Sequence, residues 1–320
     1  MAVYTAVDPD DLAALVARYD MGTVLSCKGI AEGVENSNFL LETTGGRFIL
    51  TLYEKRVQEG DLPFFVDLLA HLAASRCPVP AMIRDRDGIA IQQISGRAAC
   101  IIQFLSGISL THPTVGQSEA TGVALGAMHR ALENYDGARE NSMGQPSWRG
   151  VAKATGDLDA VMPGLQAIVD DELNYLGAHW PTDLPAHVIH ADLFPDNVLM
   201  LGDEVTGLID FYFAATDFRA YDVVITHAAW TFSDDGSDCN ADLARALMRG
   251  YAREVSLSDA EIAALPLLAR GAALRFLLTR AHDWVHTPAD ALVTRKDPLP
   301  FLNRLRRYQA ADAATLFAIA

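Results

Sequence analysis

The sequence predicts an α+β protein built as a small β-rich lobe followed by a larger, mainly helical one. Three observations carry this. Short strand-like runs separated by glycine turns dominate the chain up to about residue 105. Helical periodicity dominates from Gln117 onward. A group of short apolar strands with polar ends interrupts the helices between residues 187 and 211.

Each element follows from its residues. In 9–19, Leu12, Leu15, Val16 and Tyr19 recur at helical spacing behind an Asp-Pro start. A polar, glycine-bearing segment occupies 29–38. Residues 39–43 and 47–53 read as strands joined by the hairpin turn Thr44-Gly45-Gly46. Leu62 to Ala74 reads as a helix. Pro63 lies in its first turn, where a missing N–H costs nothing, and Pro78 and Pro80 stop it. Residues 89–94 and 98–105 give two more strands around Ser95-Gly96. These four runs are numbered strands 2 to 5 of one antiparallel sheet.

Helices are then expected near 117–134, 157–178, 219–231, 240–254, 258–285 and 300–318. The lobes so defined are 1–104 and 105–320.

Composition narrows the class of function. Half of the 320 residues are hydrophobic, so a full core is expected. Cys27, Cys77, Cys100 and Cys239 are far apart and form no CxxC pair, which points to reduced thiols rather than a zinc or redox motif. The N-terminus has no basic and apolar leader pattern, and no run approaches eighteen apolar residues, so a soluble cytoplasmic protein is expected. A net charge of −16 repels nucleic acid and anionic membranes, and neither is expected as a partner.

The chemistry concentrates in His190-Ala-Asp-Leu-Phe-Pro-Asp-Asn197. Phosphoryl transfer to an alcohol needs a carboxylate to orient or accept the hydroxyl proton, and oxygen ligands for magnesium on the phosphates. Asp192 supplies the first. Asn197, with Asp210 at the end of the apolar Leu208-Ile209 run, supplies the second, because hard oxygen donors suit Mg2+. The bland alternative is that these residues cap turns.

These residues resemble the aminoglycoside phosphotransferase family of protein-kinase-like enzymes. The loop is similar to a kinase catalytic loop, with His190 opening it. Within the family, several passages resemble the bacterial branch that phosphorylates the hydroxyl of L-homoserine on the route to threonine. They are Gly29-Ile-Ala-Glu-Gly-Val-Glu-Asn-Ser-Asn-Phe, Phe48-Ile-Leu-Thr-Leu-Tyr-Glu-Lys, Leu62-Pro-Phe-Phe, Ala273-Leu-Arg-Phe-Leu-Leu-Thr-Arg and Lys296-Asp-Pro.

The resemblance implies a two-lobe kinase-like fold. Asp192 would be the catalytic base, and Asn197 and Asp210 the Mg2+ ligands. ATP would be held by a covering loop at 32–38, with Gly33, Ser37 and Asn38, by Thr51, and by a hinge at Gln103, Phe104 and Leu105. Partners are then ATP and a small hydroxy amino acid, and the chain is a monomer or homodimer.

Two departures accompany it. Where such kinases carry a lysine on the third strand, this chain places Thr51, and at the position of the lysine's glutamate partner it places Phe65. Losing both avoids a lone desolvated charge. Lys55 and Lys28 are candidates to replace the lysine, though solvated surface positions suit them better.

An acceptor carboxylate calls for an arginine. Arg275 and Arg280 lie on an apolar helix with Asp283 close by, and their spacing of five places them roughly 140° apart, so one at most is expected to face a pocket. Asp217, Asp222 and His129 are expected to be structural. Other small alcohols (choline or ethanolamine, a thiosugar, an aminoglycoside) are the competing acceptors, and a nucleotide-binding pseudokinase is the competing class.

Overall fold

A computed structural model of the chain describes residues 5–30, 36–54, 58–287 and 295–318. The chain forms two compact units, 1–106 and 107–320. The expectations on Gly33, on Glu32 and on Lys55 lie outside the described residues.

The first unit comprises α1 (Pro9–Val16), β1 (Val24–Gly29), β2 (Ser37–Thr43), β3 (Gly46–Leu52), α2 (Leu62–Ala74), β4 (Met82–Ile83), β5 (Ile91–Ile94) and β6 (Arg97–Gln103). The strands form one antiparallel sheet in the order β1-β2-β3-β6-β4, with β5 also pairing with β6. Strand β2 shows why the hairpin was legible. Its residues alternate between buried and half-buried, with Phe39 and Leu41 inward, and inward Leu50, Leu52 and Ile101 complete a core closed by Leu12, Leu15 and Val16 of α1.

Asp8 caps α1 by accepting from the N–H groups of Asp10 and Asp11. Strands β1 and β4 were not anticipated. The first is a partly exposed strand carrying Ser26 and Lys28, and the second has two residues, so neither shows an apolar alternation.

The second unit comprises α3 (Val115–Leu132), α4 (Trp148–Thr155), α5 (Leu165–His179), β7 (Ala186–Ile189), β8 (Val198–Leu201), β9 (Glu204–Leu208), β10 (Ala215–Phe218), α6 (Arg219–Trp230), α7 (Ala241–Ala252), α8 (Asp259–His286), α9 (Leu299–Ala310) and α10 (Ala313–Phe317). Helix α8 runs for 28 residues from a reciprocal Ser258–Glu261 cap. By length and composition it could cross a membrane. Here it is a core helix, packed by α4, α5, α6 and α9, with Leu274, Leu277 and Leu278 fully buried.

Two expected helices change. The one predicted over 157–178 begins at Leu165, because Pro163 and a left-handed Gly164 interrupt the register. The one predicted over 300–318 breaks after Ala310, where Asp312 accepts from the N–H of Thr315 and starts α10. Helix α4 and strand β10 were not anticipated. The latter exists only through pairing with β7, from Ala215↔Ile189 to Phe218↔Ala186.

Helices α3 and α7 approach backbone to backbone. A methyl group at Gly122 would strike the Leu247 carbonyl, and one at Gly250 would strike that of Glu119. Arg249 and Arg253 both pair with Glu119 beside this crossing.

Candidate active site

Strand β7 delivers His190 into the second unit's interior, where it is fully buried. Its Nε2–H donates to the Ile209 carbonyl at 3.0 Å, and its Nδ1 accepts the Asp192 N–H at 3.3 Å. Both contacts use the neutral ring, and burial pushes its pKa down. The ring packs 4.5 Å from Phe211. His190 is thus a brace between the catalytic loop and the strand end that carries Asp210.

The loop turns at Ala191, which has φ 63°, a left-handed conformation costly for a residue with a Cβ. Its surroundings impose the turn. The Asp222 carboxylate accepts the His190 and Ala191 N–H groups at 2.8 Å each, and Arg275 donates to the Ala191 carbonyl at 2.5 Å. Asp222 also accepts from His129 Nε2 at 3.0 Å, while His129 Nδ1 meets the Tyr251 hydroxyl at 2.8 Å. Burial alone would raise the Asp222 carboxyl. The His129 hydrogen bond and the neighbouring donors outweigh it and hold the group below its usual range. Trp230 clamps the next residue by donating to the Leu193 carbonyl at 2.9 Å.

Asp192 is half-buried at the turn's exit. Asn197 is tied to it, its Nδ2 donating to the Asp192 carbonyl at 2.8 Å and to its Oδ2 at 3.1 Å. The amide nitrogen is therefore committed, and Oδ1 remains the atom able to meet a cation. The β8–β9 hairpin brings Asp210 alongside. Val198 pairs with Leu208, and the Ile209 N–H reaches the Asn197 carbonyl at 3.0 Å, so Asn197 and Asp210 lie at the same end of the hairpin.

Asp210 is also left-handed, with φ 64°. Burial drives the Asp192 carboxyl well above its usual range. Arg275 pulls it back, and the nearby Asp210 charge pushes it up again. Hard oxygen donors beside mutually repelling carboxylates fit a divalent cation. No group of three or more His, Cys, Asp or Glu gathers among the described residues. Few protein ligands leave most of a divalent cation's coordination to other oxygens.

The other expected residues divide. Arg275, 2% exposed on α8, faces the loop carbonyl and lies 4.6 Å from the Phe276 ring, so its role is to position the loop. Arg280 is half-buried and lies 4.5 Å over Phe301, and Asp283 is half-buried on the same helix. Asp217, on β10, accepts from Asn141 Nδ2 at 2.6 Å and from the Phe218 N–H at 2.8 Å.

In the first unit, Thr51 is buried in β3 and its hydroxyl donates to Asn38 Oδ1 at 2.8 Å across the β2–β3 pair. Phe65 is buried in α2. A short polar bond and a buried ring therefore occupy the two positions at which the sequence departs from the kinase lysine and glutamate. Ser37 is fully buried and donates to Glu54 at 2.7 Å, so its hydroxyl is turned inward. Lys28 is exposed on β1. Gln103 ends the β3–β6 ladder opposite Phe48 and donates its N–H to Ala81, and Phe104 and Leu105 run on beyond the ladder with Arg47 over the Phe104 ring.

Sequence reasoning treated Asp222 and His129 as structural at a helix start and end, and did not find that they fix the catalytic loop. No spacing signals this, since His129, His190 and Asp222 belong to three different elements. It also passed over Phe194, Phe301 and Arg304.

Comparison with known proteins agrees with this geometry. Residues 26–260 match the model of the phosphotransferase enzyme family. The chain is 54% identical over 316 residues to a homoserine kinase of Rhizobium rhizogenes, covering 98% of both chains. It is 52% identical to one of Bradyrhizobium, covering 100% of this chain and 99% of the other. Among solved structures, amicoumacin kinase hAmiN, in complex with AMP-PNP, Ca2+ and amicoumacin, superposes with a TM-score of 0.70 at 15% identity, covering 94% and 92%. A microcompartment-associated aminopropanol kinase gives 0.65 at 20% identity, covering 97% and 96%. With the α+β kinase-like fold and the loop at 190–197 agreeing on one kind of chemistry, the chain belongs to the phosphotransferase enzyme family.

Proposed function

We propose that this chain transfers the γ-phosphoryl group of ATP to the side-chain hydroxyl of L-homoserine, giving O-phospho-L-homoserine and ADP, on the route to threonine. The observation that carries the reaction type is the loop at 190–197, with Asp192 held beside Asn197 and Asp210. The choice of alcohol rests on relatives more than half identical over nearly the full chain.

Asp192 accepts a hydrogen bond from the acceptor hydroxyl and aligns its oxygen for in-line attack, taking the proton as the new P–O bond forms. A bound Mg2+, held by Asn197 Oδ1 and the Asp210 carboxylate, would neutralise the phosphate charge. Asp222, Arg275 and His190 keep the loop in its strained turn, so the carboxylate needs no reorganisation at the moment of reaction. ATP is a co-substrate of the first unit in this reading, with Phe104 and Leu105 as its adenine contacts and the segment around Asn38 near its phosphates. The enzyme works in the cytoplasm on free metabolites.

A coupled ADP-release assay over hydroxy amino acids, amino alcohols and sugars tests this. L-homoserine is expected to give the highest kcat/KM. Preference for an amino alcohol or a sugar would replace the acceptor, and Mg2+-dependent ATP binding without turnover of anything would replace the enzyme by a nucleotide-binding module.

A further inference from the structure

The buried arginines of the second unit are not all treated alike. Arg219 is matched by Glu261, with contacts of 2.6 and 2.9 Å, and Arg270 by Glu172, with two contacts of 2.7 Å. Both are two-pronged pairs that neutralise a desolvated cation. Arg275 and Arg280 on α8 and Arg304 on α9 have no carboxylate within ion-pair distance among the described residues, and Arg275 is turned to the Ala191 carbonyl.

Among the described residues Arg280 donates to the Asp297 carbonyl alone, at 3.3 Å. Arg304, 7% exposed, donates to the carbonyls of Ala228 at 2.9 Å and Ser233 at 3.4 Å. Both guanidinium groups lie over one ring, that of Phe301, at 4.5 and 4.6 Å from its centroid. Two half-desolvated cations on one aromatic ring, without an acid, are expensive in a folded protein. Burial and the neighbouring Arg304 bring Arg280 down to about 10, the behaviour of a cation short of a counter-charge.

The place matters as much as the charge. Phe194, two residues after Asp192, packs 4.8 Å from Phe276 and 6.2 Å from Phe301, and Phe276 lies 5.1 Å from Phe301. An aromatic wall therefore runs from the catalytic loop to the two arginines. Asp192 and Arg280 are near enough for their charges to act on each other. Of the surface acids whose charges reach Arg280, Asp196 is engaged by Lys296 at 3.3 Å and Asp297 accepts the Leu299 N–H at 2.8 Å.

We propose that Arg280, with Arg304 behind it on Phe301, binds the carboxylate of the acceptor and so makes this site select hydroxy acids over the corresponding amino alcohols. The proposal rests on the acceptor being a hydroxy amino acid, as argued above. A short aliphatic chain along the aromatic wall would join a carboxylate at Arg280 to a hydroxyl at Asp192. Arg280 is the contact residue, and Arg304 acts through Phe301 and its own charge.

The test compares L-homoserine with 3-aminopropan-1-ol, the same molecule without its carboxylate, as substrate or, where it is not turned over, as competitive inhibitor. In Arg280→Gln, kcat/KM for homoserine is expected to fall about a hundredfold, chiefly through KM, the loss typical of removing one partner of a desolvated charge pair. The value for 3-aminopropan-1-ol is expected to move less than twofold. Arg280→Lys, which keeps the charge but not the fork, falls between the two. ATP affinity and the melting temperature of each variant report that it has folded.

An equal loss with both ligands would assign Arg280 to the transferred phosphoryl group or to the fold, and would overturn the proposal. An unchanged KM for homoserine would overturn it as well. Failure of the wild-type chain to phosphorylate homoserine is read separately and would overturn both this proposal and the function on which it rests.

Discussion

Single residues carry the chemistry, and their neighbours hold them where it happens. Asp192 is useful because its backbone is anchored, and the anchor is Asp222, whose carboxylate collects three donors. In the proposed reaction, replacing Asp192 by Asn keeps its shape and removes the base. Turnover is expected to fall roughly 10²- to 10⁴-fold while ATP binding persists, measured by steady-state kinetics alongside nucleotide titration. Asp222→Ala has a different signature. It leaves the His190 and Ala191 N–H groups buried and unpaired, so it should cost about 3–5 kcal/mol of stability as well as activity, seen as a lower urea midpoint. The motif at 190–197 was legible because its residue types are dictated by reaction chemistry. The role of Asp222 was not, because a carboxylate reveals what it anchors only once the elements have packed.

At the scale of elements, the hairpin β8–β9 does the assembling. Its register sets Asn197 and Asp210 at one end, and its closing bond from Ile209 to Asn197 ties the loop to the strand end that carries Asp210. The crossing of α3 and α7 behind the loop tolerates no side chain at its contact, since the Cβ of an alanine at Gly250 would overlap the Glu119 carbonyl. Gly250→Ala is therefore expected to destabilise by about 1–3 kcal/mol despite its gain in helix propensity, a result checked by chemical denaturation. A neutral or stabilised variant would mean that the helices can slide apart at no cost. Helix α2 and the β2–β3 hairpin were readable because their signals are local: a proline early in one, an inward alternation in the other. Strands β1 and β4 were not, since neither shows an apolar alternation, nor was β10, which pairing with β7 creates.

For the molecule as a whole, buried histidines couple stability to pH. His227 is fully buried between the Tyr308 hydroxyl, at 2.9 Å, and the Leu316 carbonyl, at 3.0 Å, and burial brings it down from the usual 6.5 to about 4. The folded chain keeps it neutral where the unfolded chain would protonate it. Its contribution is therefore complete above pH 6.5 and is lost as pH falls from there toward 4, an effect of about 3 kcal/mol at most. His190 is shifted in the same direction. Urea midpoints measured from pH 7 to pH 5 should decline, and His227→Gln should flatten that decline. An identical slope in the variant would show that His227 titrates outside this window.

Sequence alone determined the α+β class, with β-rich elements before mainly helical ones, and the phosphotransferase family, because hydrophobic period and motif residues are written locally. It also carried the absence of the lysine and its glutamate partner, which the structure renders as a buried Thr51–Asn38 bond and a buried Phe65. Tertiary structure decided the partners of the two arginines on α8. Arg275 and Arg280 lie five residues apart on one apolar helix and cannot be told apart by spacing. Only packing shows Arg275 turned to the Ala191 carbonyl and Arg280 lying on Phe301, because the partner of a buried charge is chosen by the fold.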